Sequence, residues 1–184
     1  MGRTASKFLA KRMRGGEKAM CPEYKPNGIK IPETRYHKTI KWLCIGIQAG
    51  VVLYLLFIWK SLPDSVPMHY NAIGEADSYG GKWTVWITPA GMLLMYQFLA
   101  LVERHPDWWN TAVTITRRNC EKVYGMLKNM IVSVKLIVML IFGYLSICVG
   151  FGEKLGGWFL PVSLILTFGC IIIFSVLLVK VSKD

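Results

Sequence analysis

Trp42-Leu43-Cys44-Ile45-Gly46-Ile47-Gln48-Ala49-Gly50-Val51-Val52-Leu53-Tyr54-Leu55-Leu56-Phe57-Ile58-Trp59 runs without a charge between Lys41 and Lys60. About 18 apolar residues are the minimum for a helix crossing a bilayer core of roughly 30 Å. A tryptophan stands at each end, where an amphipathic ring favours the headgroup level. Gln48 is the one strongly polar side chain in the run. An amide facing lipid lacks partners, so Gln48 is expected to face another helix.

Working outward, three more runs of this kind follow, giving expected spans at about 42–59, 83–102, 129–151 and 158–179. Pro89 and Pro161 fall early in their spans, where a missing N–H costs little. Lys135 interrupts the third span about 10 Å of helix rise beyond Lys128. It can snorkel back to the headgroups, or act as a paired intramembrane charge; the reading favours snorkelling. Between the second and third spans, residues 107–128 read as an amphipathic cytoplasmic segment, helical at the membrane surface or continuous with the third span. The short loops on the other side of the bundle predict that spans one and two, and spans three and four, pack as antiparallel hairpins. Gly46, Ala49, Gly50, Gly91, Gly143 and Gly169 are the small residues expected at close helix approaches. The expected fold is an all-α integral membrane protein of four transmembrane helices with a short ordered outer loop at 61–82.

The chain carries a net charge of +11. The basic residues flank apolar runs, so anionic lipid headgroups explain them better than nucleic acid does. Residues 1–41 hold eleven lysines and arginines and the 103–128 segment five, against Lys82 and Lys154 in the other two connections, with Lys60 at the boundary of the first. That asymmetry predicts both termini in the cytoplasm. Segment 1–41 contains no secretory h-region, and its glycines and prolines predict a mostly disordered basic tail. Cys21, Cys44, Cys120, Cys148 and Cys170 show no zinc, redox-pair or disulfide spacing, and read as small apolar side chains in the spans and free thiols elsewhere.

The outer loop, Leu62 to Lys82, is the most specific text in the chain: two prolines, three glycines, a histidine, an asparagine and three carboxylates. Pro67 favours an extended run before it. Asn71-Ala72-Ile73-Gly74 reads as a turn in which Gly74 takes positive φ and Asn71 hydrogen-bonds its own backbone. Gly80-Gly81 is expected to turn the chain back toward the bilayer. Asp77 and Lys82 are expected to pair across the loop, with His69 capping a carbonyl. His69, Glu75 and Asp77 are the right donor types for a divalent metal, but their spacing matches no established metal motif. No nucleophile-elbow sequence surrounds Ser65 or Ser78. No cofactor is expected.

Pro67, His69, Asn71, Gly74, Asp77 and Lys82, at these spacings, resemble the Pro-x-His-x-Asn-x-x-Gly-x-x-Asp signature with a following lysine of a bacterial membrane family, domain of unknown function 1648. The resemblance covers roughly Ile40 to Leu101. It implies a multi-pass protein of the bacterial cell membrane. The best-known relatives are immunity proteins of the sporulation-delaying-protein system, which protect cells from a membrane-active peptide toxin and relay a signal to a cytoplasmic repressor. The resemblance thus implies a non-enzymatic immunity or sensing protein, with a peptide ligand on the outer face and a cytoplasmic protein partner. The alternatives are a small transporter or transporter accessory subunit, motivated by Gln48 and Lys135, and a membrane-surface enzyme or metal-binding protein using the outer loop. No carboxylate falls within an expected span, which weighs against proton- or sodium-coupled transport.

Overall fold

A computed structural model describes residues 31–116 and 118–183; the expected tail as far as residue 30, and Arg117, lie outside the described residues. The order is α1 (Arg35–Ile58), β1 (Ser65–Tyr70), β2 (Ala76–Gly81), a 3-10 helix (Lys82–Trp86), α2 (Ile87–Arg104), a short 3-10 turn (Pro106–Trp108), α3 (Cys120–Phe151) and α4 (Phe159–Lys183). Among the described residues, four helices are long and apolar enough to cross a membrane. Their large apolar side chains point outward in quantity; in the most apolar window of the last helix only 6% of residues are buried. A helix of that kind needs lipid as its surroundings.

Three helix boundaries differ from the sequence reading, each for a local reason. The first helix starts at Arg35 rather than Trp42, so residues 35–41 are helix and not tail. Thr34 caps it: its hydroxyl accepts from the His37 backbone N–H, and the His37 ring accepts from the Thr34 N–H. This is a capping box with histidine in place of the usual acidic residue or its amide. The second helix begins at Ile87, because the residues after Gly81 first form a 3-10 helix. The expected amphipathic helix over 107–128 exists only from Cys120 onward. Upstream of it, Pro106 cannot continue the ladder and Ala112 takes φ 51°. The buried Asn119 amide then ties the connection down. It accepts from Thr116 N–H and donates to the carbonyls of Thr114 and of Ser182 in α4.

The helices run alternately up and down, but α3 is the central one, packing on α1, α2 and α4. Contact between α1 and α2 is slight, so the expected hairpin of spans one and two gives way to a parallel α1–α3 pairing. Small residues explain that choice. A Cβ on Gly143 would meet Ile47 Cγ2 at 3.3 Å, and one on Gly150 would meet the Tyr54 hydroxyl and Ile58 Cδ1 at 2.8 Å. These two glycines, seven residues apart on α3, seat α1. Gly46, Gly50 and Gly169 have nothing within that range, and Gly150 had not stood out in the sequence. Cys44 and Cys148 are buried free thiols, Cys170 is a half-buried one, and Cys120 is disulfide-bonded, which the cysteine spacing did not indicate.

Candidate functional site

The expected ordered loop is an antiparallel β-hairpin, with Ser65 opposite Gly81, Val66 opposite Gly80 and Tyr70 opposite Ala76. Irregular register around His69 leaves Met68 over Gly80, where a Cβ would lie 2.1 Å from the Met68 sulfur. Val66 and Pro67 face inward and are buried, while His69 and Met68 are exposed. Gly80 and Gly81 therefore finish a strand, and the 3-10 helix after them makes the return.

Most signature residues build this cap. The Asn71 side-chain oxygen accepts from the backbone N–H groups of Ile73 (3.1 Å) and Glu75 (2.9 Å), closing the hairpin turn. Gly74 sits at φ 78°, and its missing Cβ would fall 2.6 Å from the Gly156 carbonyl oxygen. Glycine is required twice over, by backbone conformation and by the approach of another backbone. His69 Nδ1 lies 2.6 Å from Asp77 Oδ1 on the exposed face. The expected Asp77–Lys82 pair is therefore replaced by Asp77–His69, and Lys82 places its ammonium 5.1 Å above the Trp59 ring. The indoles of Trp59, Trp83 and Trp86 pack together beneath it.

The hairpin is latched to the α3–α4 connection. Leu155 N–H donates to the Gly74 carbonyl (2.9 Å) and the Tyr70 hydroxyl to the Glu153 carbonyl (3.2 Å). Lys154 donates to Glu75 at 2.7 Å, which raises the lysine's pKa. Burial pushes the Tyr70 phenol up to about 12. With Glu75 turned to Lys154, the metal-donor trio His69, Glu75 and Asp77 is not assembled, and no group of three such donors occurs among the described residues.

The opposite end of the bundle holds a second polar site, largely unseen in the sequence. Lys135 does not snorkel: its ammonium donates to Glu103, in the last turn of α2, and lies 5.2 Å over the Tyr96 ring. Its side chain is 4% exposed and that of Glu103 17%. Lys128, one heptad earlier on α3, approaches the same carboxylate at 4.0 Å and donates to the Ile31 carbonyl. The buried His37 ring bonds Asn129 at 2.8 Å, and the Tyr36 hydroxyl bonds Ser133, fastening α1 to α3 beside the cluster. A cavity of about 330 Å³ opens onto these groups. In the sequence Glu103 is the first charge after the uncharged 83–102 run, which places it outside the expected span. The available signal was the seven-residue spacing of Lys128 and Lys135, which puts two cations on one face of α3 and asks for an anion opposite. Gln48 is half-buried and makes no hydrogen bond among the described residues.

Residues 47–93 match the family described as Domain of unknown function (DUF1648). The match takes in the second half of α1, the hairpin and the 3-10 helix after it, which together hold all six signature residues, and the start of α2, and leaves the Glu103–Lys135 cluster outside. No curated protein and no solved structure matches the chain. The chain is thus similar to this family over residues 47–93, and its four apolar helices among the described residues make it a multi-pass, membrane-type helical protein.

Proposed function

We propose that this protein is a non-enzymatic sensor or immunity protein of the bacterial cell membrane, with both termini in the cytoplasm. In this reading the hairpin cap meets a membrane-active peptide at the outer surface. One observation carries it: the cap is latched to the connection that follows the C-terminus of α3, and the N-terminal half of the same helix carries the buried lysine cluster. At 1.5 Å per residue the stretch of α3 from Lys128 to Phe151 rises roughly 35 Å, enough to link one membrane face to the other. A ligand that shifts the cap shifts the lysine end, where the connection between α2 and α3 offers a surface to a cytoplasmic partner. Met68, Tyr79 and Trp83 are exposed on or beside the hairpin and supply an apolar edge for a peptide lying at the interface. The positive-inside asymmetry supports the orientation, and anionic headgroups complement the basic segments.

The test is survival of a sensitive host expressing the chain while challenged with membrane-active peptides, above all one encoded beside its gene. Protection that disappears in a Gly74→Val variant still present in the membrane is the expected result. Unchanged sensitivity to every peptide tried, with the protein present at normal abundance, overturns the reading.

A second reading, a small transporter or accessory subunit, gains from the half-buried carboxylate of Glu103. Glu103 facing Lys135 is a titratable pair beside an open cavity, the kind of group that ion-coupled movement requires. A solute flux in proteoliposomes that is abolished by Glu103→Gln would favour this reading over sensing.

A further inference from the structure

The cavity at the lysine end holds more positive charge than its own residues neutralise. Four cations line it, Lys41, Arg104, Lys128 and Lys135, against two carboxylates, Glu33 and Glu103, which leaves two positive charges in excess. The distribution is also uneven. Lys135 and Lys128 share the single carboxylate of Glu103, while Lys41 and Arg104 are exposed and form no ion pair among the described residues. We propose that this cavity binds a phosphate-bearing anion.

The chemistry selects that class of ligand. A cation entering here would add to an existing excess of like charge. A neutral solute would leave Lys128, only 8% exposed, with a shared carboxylate at 4.0 Å and one long bond to a carbonyl. An oxyanion with several acceptor oxygens supplies what the lysines lack. The guanidinium of Arg104 offers a planar fork that matches two phosphate oxygens, while the lysines act as point charges. The volume, about 330 Å³, exceeds that of one phosphate and leaves room for water or for a larger group carrying it. Tyr96, Ala100 and Val132 give the cavity an apolar wall. It lies where α1 begins, α2 ends and α3 leaves its most polar stretch, so two sources share the chemistry: free phosphate and a phospholipid headgroup. The site stands apart from the peptide-sensing reading, because one is measured by binding and the other by survival.

The experiment uses the full chain in detergent micelles, titrated calorimetrically with inorganic phosphate at low salt. In parallel, nanodiscs of phosphatidylcholine with and without phosphatidic acid are analysed for lipid retained on the protein by native mass spectrometry. The key variant is Lys41→Gln combined with Arg104→Gln, two exposed residues whose replacement leaves the buried ion pair intact. Arg104→Lys tests the fork alone, and Lys60→Gln at the other end of the bundle is the control. Saturable phosphate binding, weakened at least roughly ten-fold in the double variant and unchanged in Lys60→Gln, identifies a free oxyanion site. No phosphate saturation, but selective retention of phosphatidic acid that the double variant loses, identifies a headgroup site. Absence of both signals, or equal signals in wild type and the double variant, overturns the proposal.

Discussion

Glu103→Gln is the substitution that tests the buried cluster most directly. It removes the one carboxylate that Lys135 and Lys128 share, leaving two lysines whose side chains are 4% and 8% exposed facing a neutral amide. Removing one partner of a buried ion pair typically costs about 3–5 kcal/mol, because the remaining charge keeps its desolvation penalty. Glu103 retains some contact with solvent, with 17% of its side chain exposed, so the lower end, about 3 kcal/mol, is expected. Lys135→Met should cost less, about 1–2 kcal/mol, for two reasons. Glu103 still has Lys128 at 4.0 Å, and methionine replaces the apolar stem of the lysine. The double variant Glu103→Gln/Lys135→Met should be more stable than the sum of the single losses predicts, with a coupling of about 1–3 kcal/mol. Reversible unfolding of the four proteins in mixed micelles, followed by circular dichroism, measures all the required differences. A Glu103→Gln cost below about 1 kcal/mol, or strictly additive losses, would mean that the carboxylate is solvated and the pair energetically idle.

Three further outcomes follow from the cap. Gly74→Ala must strain a backbone at φ 78° and press a Cβ against the Gly156 carbonyl; a loss of about 2–4 kcal/mol is expected, with faster amide exchange at Leu155, whereas an unchanged exchange rate would refute the latch. The Tyr70 phenol, raised to about 12 by burial, stays neutral in the folded cap where the unfolded chain ionises near 10. Its contribution is therefore complete below pH 10 and lost as pH rises toward 12, so ultraviolet titration should show a late phenolate step that Tyr70→Phe removes. Glu75→Gln breaks only an exposed pair with Lys154, so the thermal unfolding midpoint should barely move; a clear drop would show that this pair and not the backbone holds the latch.

Legibility in the sequence followed the range of the interactions. Asn71 binding its own turn and Gly74 at positive φ need nothing beyond a few neighbouring residues, and both were readable as local turn chemistry. The His37 capping box is equally local, but histidine at its third position hid it among the basic residues. The 107–119 segment shows the opposite failure. Its apolar spacing suits a helix, yet Pro106, the threonines and an asparagine whose amide is taken by Ser182 of α4 hold it in irregular form. The partner of Asp77 was misjudged because the hairpin register places His69 nearer than Lys82.

The sequence by itself determined that four segments are helices suited to lipid. A bilayer requires about 20 consecutive apolar residues with every backbone group bonded within the segment, and both conditions are properties of short stretches. Only the tertiary structure decided that α3 is the central helix, that Gly74 rests on Gly156, and that Glu103 and Lys135, 32 positions apart, form one ion pair. Those choices come from small residues and charges meeting across helices. Hydrophobic periodicity states which face of a helix avoids water, but in a bilayer lipid serves that need as well as protein does, so the pattern alone leaves the neighbours open.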